Sequence, residues 1–287
     1  MRFLCLCVFT YSLFASSSWA AAQSPAYTPL ADLPAVAEAN GKLSAEGGIG
    51  GARGIPTRGQ GVLSGSFTLP LLQSFGFQMD GAAATLNNLF VGGTGVHLFW
   101  RDPKTALVGA TGGVFSVGGA TFGRFGGETD LYVNDFATLS AGIGYQTGAT
   151  SAKAIIPKGA YGKLGATFYP EPNLAISLSA SRNPGVWGGN AEIEYQPAGW
   201  KSVSLFANTS IAEHREFSAK AGARIYFGSS KTLIRRHRED DPTSYMAALA
   251  DLAAHASWQQ YYNLVNNPPV LNYGCLPPKR LLPVGCF

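Results

Sequence analysis

The sequence predicts an all-β fold: a transmembrane antiparallel up-and-down β-barrel of about twelve strands, followed by a short C-terminal periplasmic helical extension. Apolar and polar residues alternate with a period of two along segments that are long enough for a tilted strand to cross a membrane. The chain has 36 glycines among 287 residues, and only 13% of its residues are charged, whereas its hydrophobic fraction is an ordinary 46%. Beyond the N-terminal segment, no run of about 18 uncharged apolar residues occurs, as a membrane-spanning helix would need.

The clearest strand is Glu216–Phe227. Its odd-numbered residues, from Phe217 onwards, are small or apolar, whereas the even-numbered ones include Lys220 and Arg224. A soluble β-sandwich would place large branched residues on the core-facing side, but here that side is a band of three alanines with aromatic residues at its ends. We therefore interpret the segment as the closing strand of a barrel, with its apolar side facing lipid and its charged side facing the lumen. The alternative is a long strand in a soluble all-β protein.

The N-terminal segment has the pattern of a secretory signal peptide. Arg2 precedes an apolar run over residues 3–14, and small residues follow up to Ala22. We predict that residues 1–22 are removed. Residues 23–41 are rich in alanine and proline, and they form a short helix, a periplasmic lead-in or a plug of the lumen. Cys275 and Cys286 then remain as an even pair in an oxidising compartment, which predicts one disulfide.

We assign residues 42–228 to the barrel, because eleven further alternating segments precede the closing strand. They cover residues 42–50, 62–69, 75–83, 90–100, 107–117, 124–133, 139–145, 164–168, 174–181, 187–195 and 203–211. In the fifth segment, Leu107, Phe115 and Val117 form the apolar series. The connections after even strands are short, whereas the longest ones, 51–60 and 148–159, follow odd strands. This asymmetry is typical of short periplasmic turns and longer outer loops, and it predicts a periplasmic C-terminus.

The polar series of the strands supplies the candidate functional residues. Charges of both signs either line an aqueous pore or neutralise one another in a structural network, and the sequence leaves both interpretations open. The predicted lumen-lining residues are Glu46, Asp80, His97, Arg124, Glu128, Asp130, Lys163, Glu192, Glu194, Lys220 and Arg224.

The sequence gives little support for catalysis. The carboxylate pairs Glu128/Asp130 and Glu192/Glu194 resemble a glycosidase pair only superficially, since side chains two apart lie close together on one face of a strand and are usually salt-bridged there. Ser210 precedes a predicted outer turn, but no serine lies in a G-x-S-x-G motif. No metal-ligand spacing and no cofactor motif occurs, and no basic block interleaved with aromatic residues favours nucleic acid.

Residues 229–287 form the predicted periplasmic extension. Arg235, Arg236 and Arg238 follow the closing strand directly, and we expect them to contact lipid headgroups or a partner. The alternative is that they pair with the acidic residues at 239–241 in a solvated linker. Asp241 before Pro242 predicts the start of a helix that runs to about residue 263. This helix is expected to dock on the periplasmic mouth of the barrel or on another envelope component.

These features together resemble Gram-negative outer-membrane β-barrel proteins. The resemblance rests on the signal peptide, the alternation, the glycine- and alanine-rich outer faces, and aromatic residues near strand ends, namely Trp100, Tyr145, Phe168, Tyr195 and Phe227. It implies a bacterial outer-membrane location, contact with outer-membrane lipid and a porin-like role, with small polar solutes as possible cargo. The expected function is a narrow channel or a structural, anchoring barrel.

A lipid-acting hydrolase is the alternative, because the outer-membrane phospholipase family also has twelve strands. Many outer-membrane barrels end on a phenylalanine within the last strand, whereas Phe287 lies far beyond this one. We therefore expect the signal for barrel assembly to lie at Tyr226-Phe227.

Overall fold

The structure is a computed structural model that describes residues 33–52, 55–86, 89–240 and 242. Its elements, in chain order, are β1 (Asn40–Ala52), β2 (Ile55–Leu72), β3 (Phe75–Leu86), β4 (Leu89–Asp102), β5 (Ala106–Val117), β6 (Ala120–Asn134), β7 (Ala137–Gln146), β8 (Ala149–Thr150), β9 (Ile155–Ile156), β10 (Gly159–Glu171), β11 (Leu174–Asn183), β12 (Val186–Tyr195), β13 (Val203–Ala212), a 3-10 turn (Glu213–Arg215), β14 (Glu216–Phe227) and α1 (Leu233–Glu239). None of the helices in these ranges is long and apolar enough to span a membrane.

Twelve of the strands form one closed antiparallel barrel. Each strand pairs with the next along the chain, except that β7 pairs with β10, and β8 and β9 form a separate two-stranded sheet between them. The barrel closes where β1 pairs with β14, from Gly41 opposite Phe227 to Gly51 opposite Phe217. The predicted fold class, the strand count and the bounds of the closing strand are therefore confirmed.

The two ends of the barrel differ in their connections. We call the end at which β1 begins and β14 ends the terminal end, and the other the loop end. The predicted long connection at 51–60 is wrong, because β1 continues to Ala52 and β2 already begins at Ile55. Only the loop-end segment 147–158, which carries β8 and β9, is long. At the turn between β5 and β6, Gly118 and Gly119 have φ of 53° and 88°, so the turn requires the left-handed region at both positions.

Side chains alternate between the outer and inner faces of the barrel as predicted. Along β14, Ala219 and Ala221 are exposed, whereas Ser218 and Lys220 are buried. Exposed aromatic residues form two belts around the outside. Near the loop end they are Phe90, Phe125, Tyr145, Trp187 and Phe217, and near the terminal end Trp100, Phe136, Phe168, Tyr195 and Phe227. An apolar outer band between two aromatic belts is typical of a membrane-spanning barrel.

The face assignment of β5 must be corrected. Leu107, Phe115 and Val117 are buried inside the barrel, whereas Val108 and Val114 are the exposed residues of this strand. The reason is that the barrel interior contains apolar clusters of its own, so both faces of β5 carry large apolar side chains. Hydrophobicity alone therefore could not identify its outer face.

Candidate functional site

One side of the barrel interior, along β3 to β6, is filled by a buried hydrogen-bonded network. His97 Nε2 lies 3.1 Å from Asp80 Oδ2, and His97 Nδ1 lies 2.8 Å from Glu128 Oε1. Gln78 Nε2 donates to Asp80 Oδ1 at 2.7 Å, and Thr68 donates to Gln78 at 3.0 Å. These five side chains form one connected network, which we call the packed wall.

Near the loop end, Arg124 ties three segments of chain together. Its guanidinium donates to Gln146 Oε1 at 2.6 Å and to Asn183 Oδ1 at 2.6 Å, and it lies 4.6 Å from the centre of the Tyr161 ring. Gln146 in turn donates to the carbonyl of Pro157 at 2.6 Å. Arg124 therefore holds the segment 147–158 against the barrel.

The segment 147–158 also packs into the loop end. Ala154 and Ile156 are buried against the inward-facing Phe115, Val117 and Phe122, and they belong to the same apolar cluster. This apolar contact covers the loop end above the packed wall.

The interior also holds a cavity of about 210 Å³, which is lined by residues from every barrel strand except β5. Its walls combine apolar side chains, such as Val62, Ala84 and Val91, with small polar ones, namely Ser44, Ser64, Ser140, Ser177, Ser179, Asn190, Asn208 and Ser210. Charged residues of both signs also line it, namely Lys42, Glu46, Asp130, Lys163, Glu192, Lys220 and Arg224. Asn208 Nδ2 donates to Glu46 Oε2 at 2.6 Å, and Lys220 Nζ donates to Ser218 at 3.3 Å. This cavity is the candidate site for polar solutes.

Arg224 is the central cation between this cavity and the terminal end. It donates to Glu192 Oε1 at 2.8 Å and also to Glu194, and it stacks 4.0 Å from the centre of the Phe206 ring. Glu194 also accepts hydrogen bonds from Ser204 and from Tyr226, the latter at 2.6 Å. The two carboxylates thus share one arginine as their counter-charge.

At the terminal end, the segment before β1 lies inside the barrel. Val36 is buried against Phe99, Leu107 and Tyr132, all of which point inwards. The amide of Ala35 donates to the carbonyl of Gln73 at 2.7 Å. The described part of this segment therefore contacts the inner wall at the terminal end, and its role as a plug of the lumen stays a prediction.

Helix α1 folds back into the same opening. Ile234 N donates to the carbonyl of Pro172 at 3.0 Å, which fixes the start of the helix against the turn between β10 and β11. Leu233 is fully buried and packs with Tyr169 and Tyr226 from the barrel wall. His237 Nδ1 lies 3.1 Å from the hydroxyl of Tyr169. The residues that follow β14 therefore fill the mouth of the barrel.

The expected headgroup position of Arg236 and Arg238 is corrected by the structure. Arg236 is 1% exposed and Arg238 is 6% exposed, because both side chains point into the mouth. Arg238 donates to the carbonyls of Asn134 and Ala137 at 2.6 and 3.0 Å, and its guanidinium lies 5.2 Å from the Tyr132 ring centre. Backbone carbonyls at the strand ends and aromatic rings replace water around the guanidinium.

The other charged residues in and next to α1 are paired as well. Arg235, half exposed, donates to Glu239 at 2.6 Å, and this hydrogen bond raises the pKa of Arg235. Lys231 Nζ lies 3.3 Å from Glu239 and also contacts Asp240. Glu239 and Asp240 do pair with the bases, as one alternative predicted, but in the barrel mouth and not in a solvated linker, whereas Asp241 lies outside the described residues.

Sequence reasoning missed several aromatic, amide and arginine side chains that organise the interior. They include Gln78, Arg101, Tyr132, Gln146, Tyr169 and Tyr226. Tyr132 and Tyr226 occupy the polar series of their strands, so the alternation itself placed them inside. Their role as a lining for the buried arginines could not be inferred, because the arginines lie beyond the barrel in sequence.

The structure gives no arrangement that favours catalysis or metal binding in the ranges it describes. Ser210 Oγ lies 2.9 Å from Ser218 Oγ, and both are buried in the wall. No group of three or more His, Cys, Asp or Glu side chains among the described residues could hold a metal ion. The predicted signal peptide, the helix expected to run to residue 263, and Cys275 and Cys286 lie outside the described residues.

No family model matches the chain, and no curated protein matches it in sequence. Its structure is similar to that of the KdgM porin, with a TM-score of 0.50, 11% identity, and coverage of 65% of this chain and 99% of the porin. KdgM porin in complex with disordered oligogalacturonate gives a TM-score of 0.50 and 10% identity, with the same coverage. An outer membrane channel from Pseudomonas putida F1 gives 0.46 and 11% identity, covering 72% of this chain and 100% of the channel.

Proposed function

We propose that this chain is a bacterial outer-membrane barrel that acts as a narrow, porin-like channel for small polar solutes. Since the chain has the fold of outer-membrane porins, its apolar outer band is assigned to lipid. The observation that carries the function is the interior cavity, whose walls include hydroxyl and amide groups and charges of both signs. A barrel with a purely structural role would not need such a cavity in its lumen.

The cavity volume limits the cargo. A volume of about 210 Å³ lies below the roughly 300 to 1,000 Å³ of pockets that hold drug-sized ligands. We therefore infer that solutes pass singly and are small. The KdgM porin structure that contains oligogalacturonate supports a polar cargo for a barrel of this shape.

The orientation of the chain is part of the proposal. An even number of strands puts both chain ends at the terminal end, which is the periplasmic side in single-chain bacterial barrels. Helix α1 then closes the periplasmic mouth. The contact of residues 243–287 with another envelope component and the disulfide between Cys275 and Cys286 remain predictions.

Planar-bilayer recording tests the channel. We expect small, discrete conductance steps from the refolded protein, and Lys220→Glu should shift ion selectivity towards cations, since Lys220 lines the cavity. Lys104→Glu, in an exposed turn at the terminal end, is the matched control and should leave selectivity unchanged. A bilayer that stays silent even after α1 is removed would favour the second candidate, a structural barrel, which is supported by the filled mouth. We propose no enzymatic activity.

A further inference from the structure

The outer rim of the loop end carries an unusual side-chain pair. Arg182 is paired with Trp187 across β11 and β12, and its guanidinium lies 4.8 Å from the centre of the indole ring. Both residues are exposed on the outer face, at the level of the loop-end aromatic belt. In the part of the chain that the structure describes, no carboxylate forms an ion pair with Arg182.

Two further cations lie near this pair. Gly162 of β10 is the register partner of Arg182, and Gly159 lies against Pro184, so the exposed Lys158 lies at the same corner. On the other side, Gly188 pairs with Ala212, which directly precedes the 3-10 turn with the exposed Arg215. The rim between β10 and β14 therefore carries an exposed cation at three adjacent connections, of which the last also holds the exposed acid Glu213.

The exposed charges of the two barrel ends differ in sign balance. Among the described residues, the exposed charges at the loop end are Arg58, Lys153, Lys158, Arg182 and Arg215, against one acid, Glu213. At the terminal end, the exposed bases Lys104, Lys201 and Arg235 are balanced by the exposed acids Glu38, Asp135 and Glu171. The positive excess is thus confined to the end that faces outwards in the proposed orientation.

We propose that the rim formed by Lys158, Arg182, Trp187 and Arg215 binds the phosphate groups of a phosphorylated lipid headgroup in the outer leaflet. A guanidinium supplies paired donors that match phosphate oxygens, and an indole prefers the boundary between acyl chains and headgroups. The apolar outer band below Trp187 accommodates the acyl chains of the same lipid. This inference rests on the proposed outer-membrane location and orientation.

Binding of lipid A to the full-length protein in detergent tests the proposal. Diphosphorylated lipid A should bind more tightly than monophosphorylated lipid A, and Arg182→Gln should weaken the diphosphorylated form roughly fivefold, as expected for one cation at an anionic headgroup. Arg182→Lys should restore part of the loss, since it keeps the charge but not the paired donors. Lys104→Gln, with the same change in charge at the other end, should have no effect.

Three outcomes would overturn the lipid site. They are equal effects of Arg182→Gln and Lys104→Gln, equal binding of the two lipid A forms, and inorganic phosphate binding as tightly as the lipid. Failure of the channel proposal can be distinguished from failure of the lipid site. Arg182 points away from the lumen, so its substitution should leave conductance unchanged. Lipid A binding by a protein that is silent in bilayers would refute only the channel.

Discussion

The guanidinium of Arg101 donates a hydrogen bond of 2.9 Å to the backbone carbonyl of Ala35. The same Nη1 atom also lies 3.3 Å from the carbonyl of Asp240, to which it donates. One buried side chain from β4 therefore holds both the segment that enters the barrel before β1 and the segment that leaves α1. We call these two segments, residues 33–39 and 229–240, the plug, and they share this cation as one common hydrogen-bonding partner.

Arg101→Gln should loosen both parts of the plug at once. Removing a charge-assisted, buried donor should lower the free energy of unfolding by about 2 to 3 kcal/mol. We also expect a larger conductance, because the mouth opens. Urea unfolding in lipid vesicles and bilayer recording measure the two effects. Lys104→Gln, in the exposed turn just after β4, should change the free energy of unfolding by less than about 0.5 kcal/mol.

Two truncations separate the contribution of α1 from that of the chain beyond it. Ending the chain after Pro242 keeps α1, whereas ending it after Gly228 removes it. Both proteins should refold to a heat-modifiable barrel on gels, since the twelve strands are complete in each. Only the shorter protein should show a large rise in conductance. If the shorter protein does not fold, α1 is a part of the barrel core and not a plug.

The assignment of the outer and inner faces is tested by one substitution on each. Ala221→Arg places a charge on the outer face of β14 and should cost about 2 to 4 kcal/mol near the bilayer midplane. Ser179→Arg places the same side chain in the cavity and should cost less. Unfolding in lipid vesicles gives both values, and equal costs would mean that the faces are misassigned.

The Arg224 cluster should behave as a coupled unit. Arg224→Met leaves Glu194 buried without its main counter-charge, which should destabilise the protein by about 3 to 5 kcal/mol. Adding Glu194→Gln should recover part of this loss, because the double variant no longer buries an unpaired charge. A double-mutant cycle in urea measures the coupling. Additive single effects would show that the two side chains do not interact.

The N-terminal part of the plug should depend on acid pH. The amide of Ser229 donates to Glu38 Oε1 at 2.5 Å, and hydrogen bonding by Ser229 holds the pKa of Glu38 below its ordinary value of 4.5. Because the pKa is lowered in the folded state, the bond stabilises the plug above that ordinary value, and the effect is lost as pH falls through the lowered pKa. Hydrogen exchange of residues 33–39, corrected for intrinsic rates, should show this loss in the native protein but not in Glu38→Gln.

The barrel could be predicted because the alternation that defines each strand lies within the residues of that strand. Each strand alternates over its own length, so Glu216–Phe227 could be identified residue by residue. The exceptions have physical causes. β5 carries apolar side chains on both faces, and glycine-rich residues around 51–60 have weak periodicity although they form strands.

The plug could not be predicted, because the groups that surround its side chains lie far from it in the sequence. The basic run of α1 is typical of an exposed segment when it is considered alone. Its burial depends on carbonyls at Asn134, Ala137 and Lys201 and on rings from the barrel wall, which only the closed barrel brings together. The sign of these charges was evident, but their surroundings were not.

The docking of α1 also sets an order of assembly. The helix contacts Tyr132, Tyr169, Glu194 and Tyr226, which come from four strands that surround one opening only after β1 has paired with β14. We therefore expect ring closure to precede docking of the helix. The wall would then be complete while the mouth is still open, and docking of α1 would be the last step of assembly.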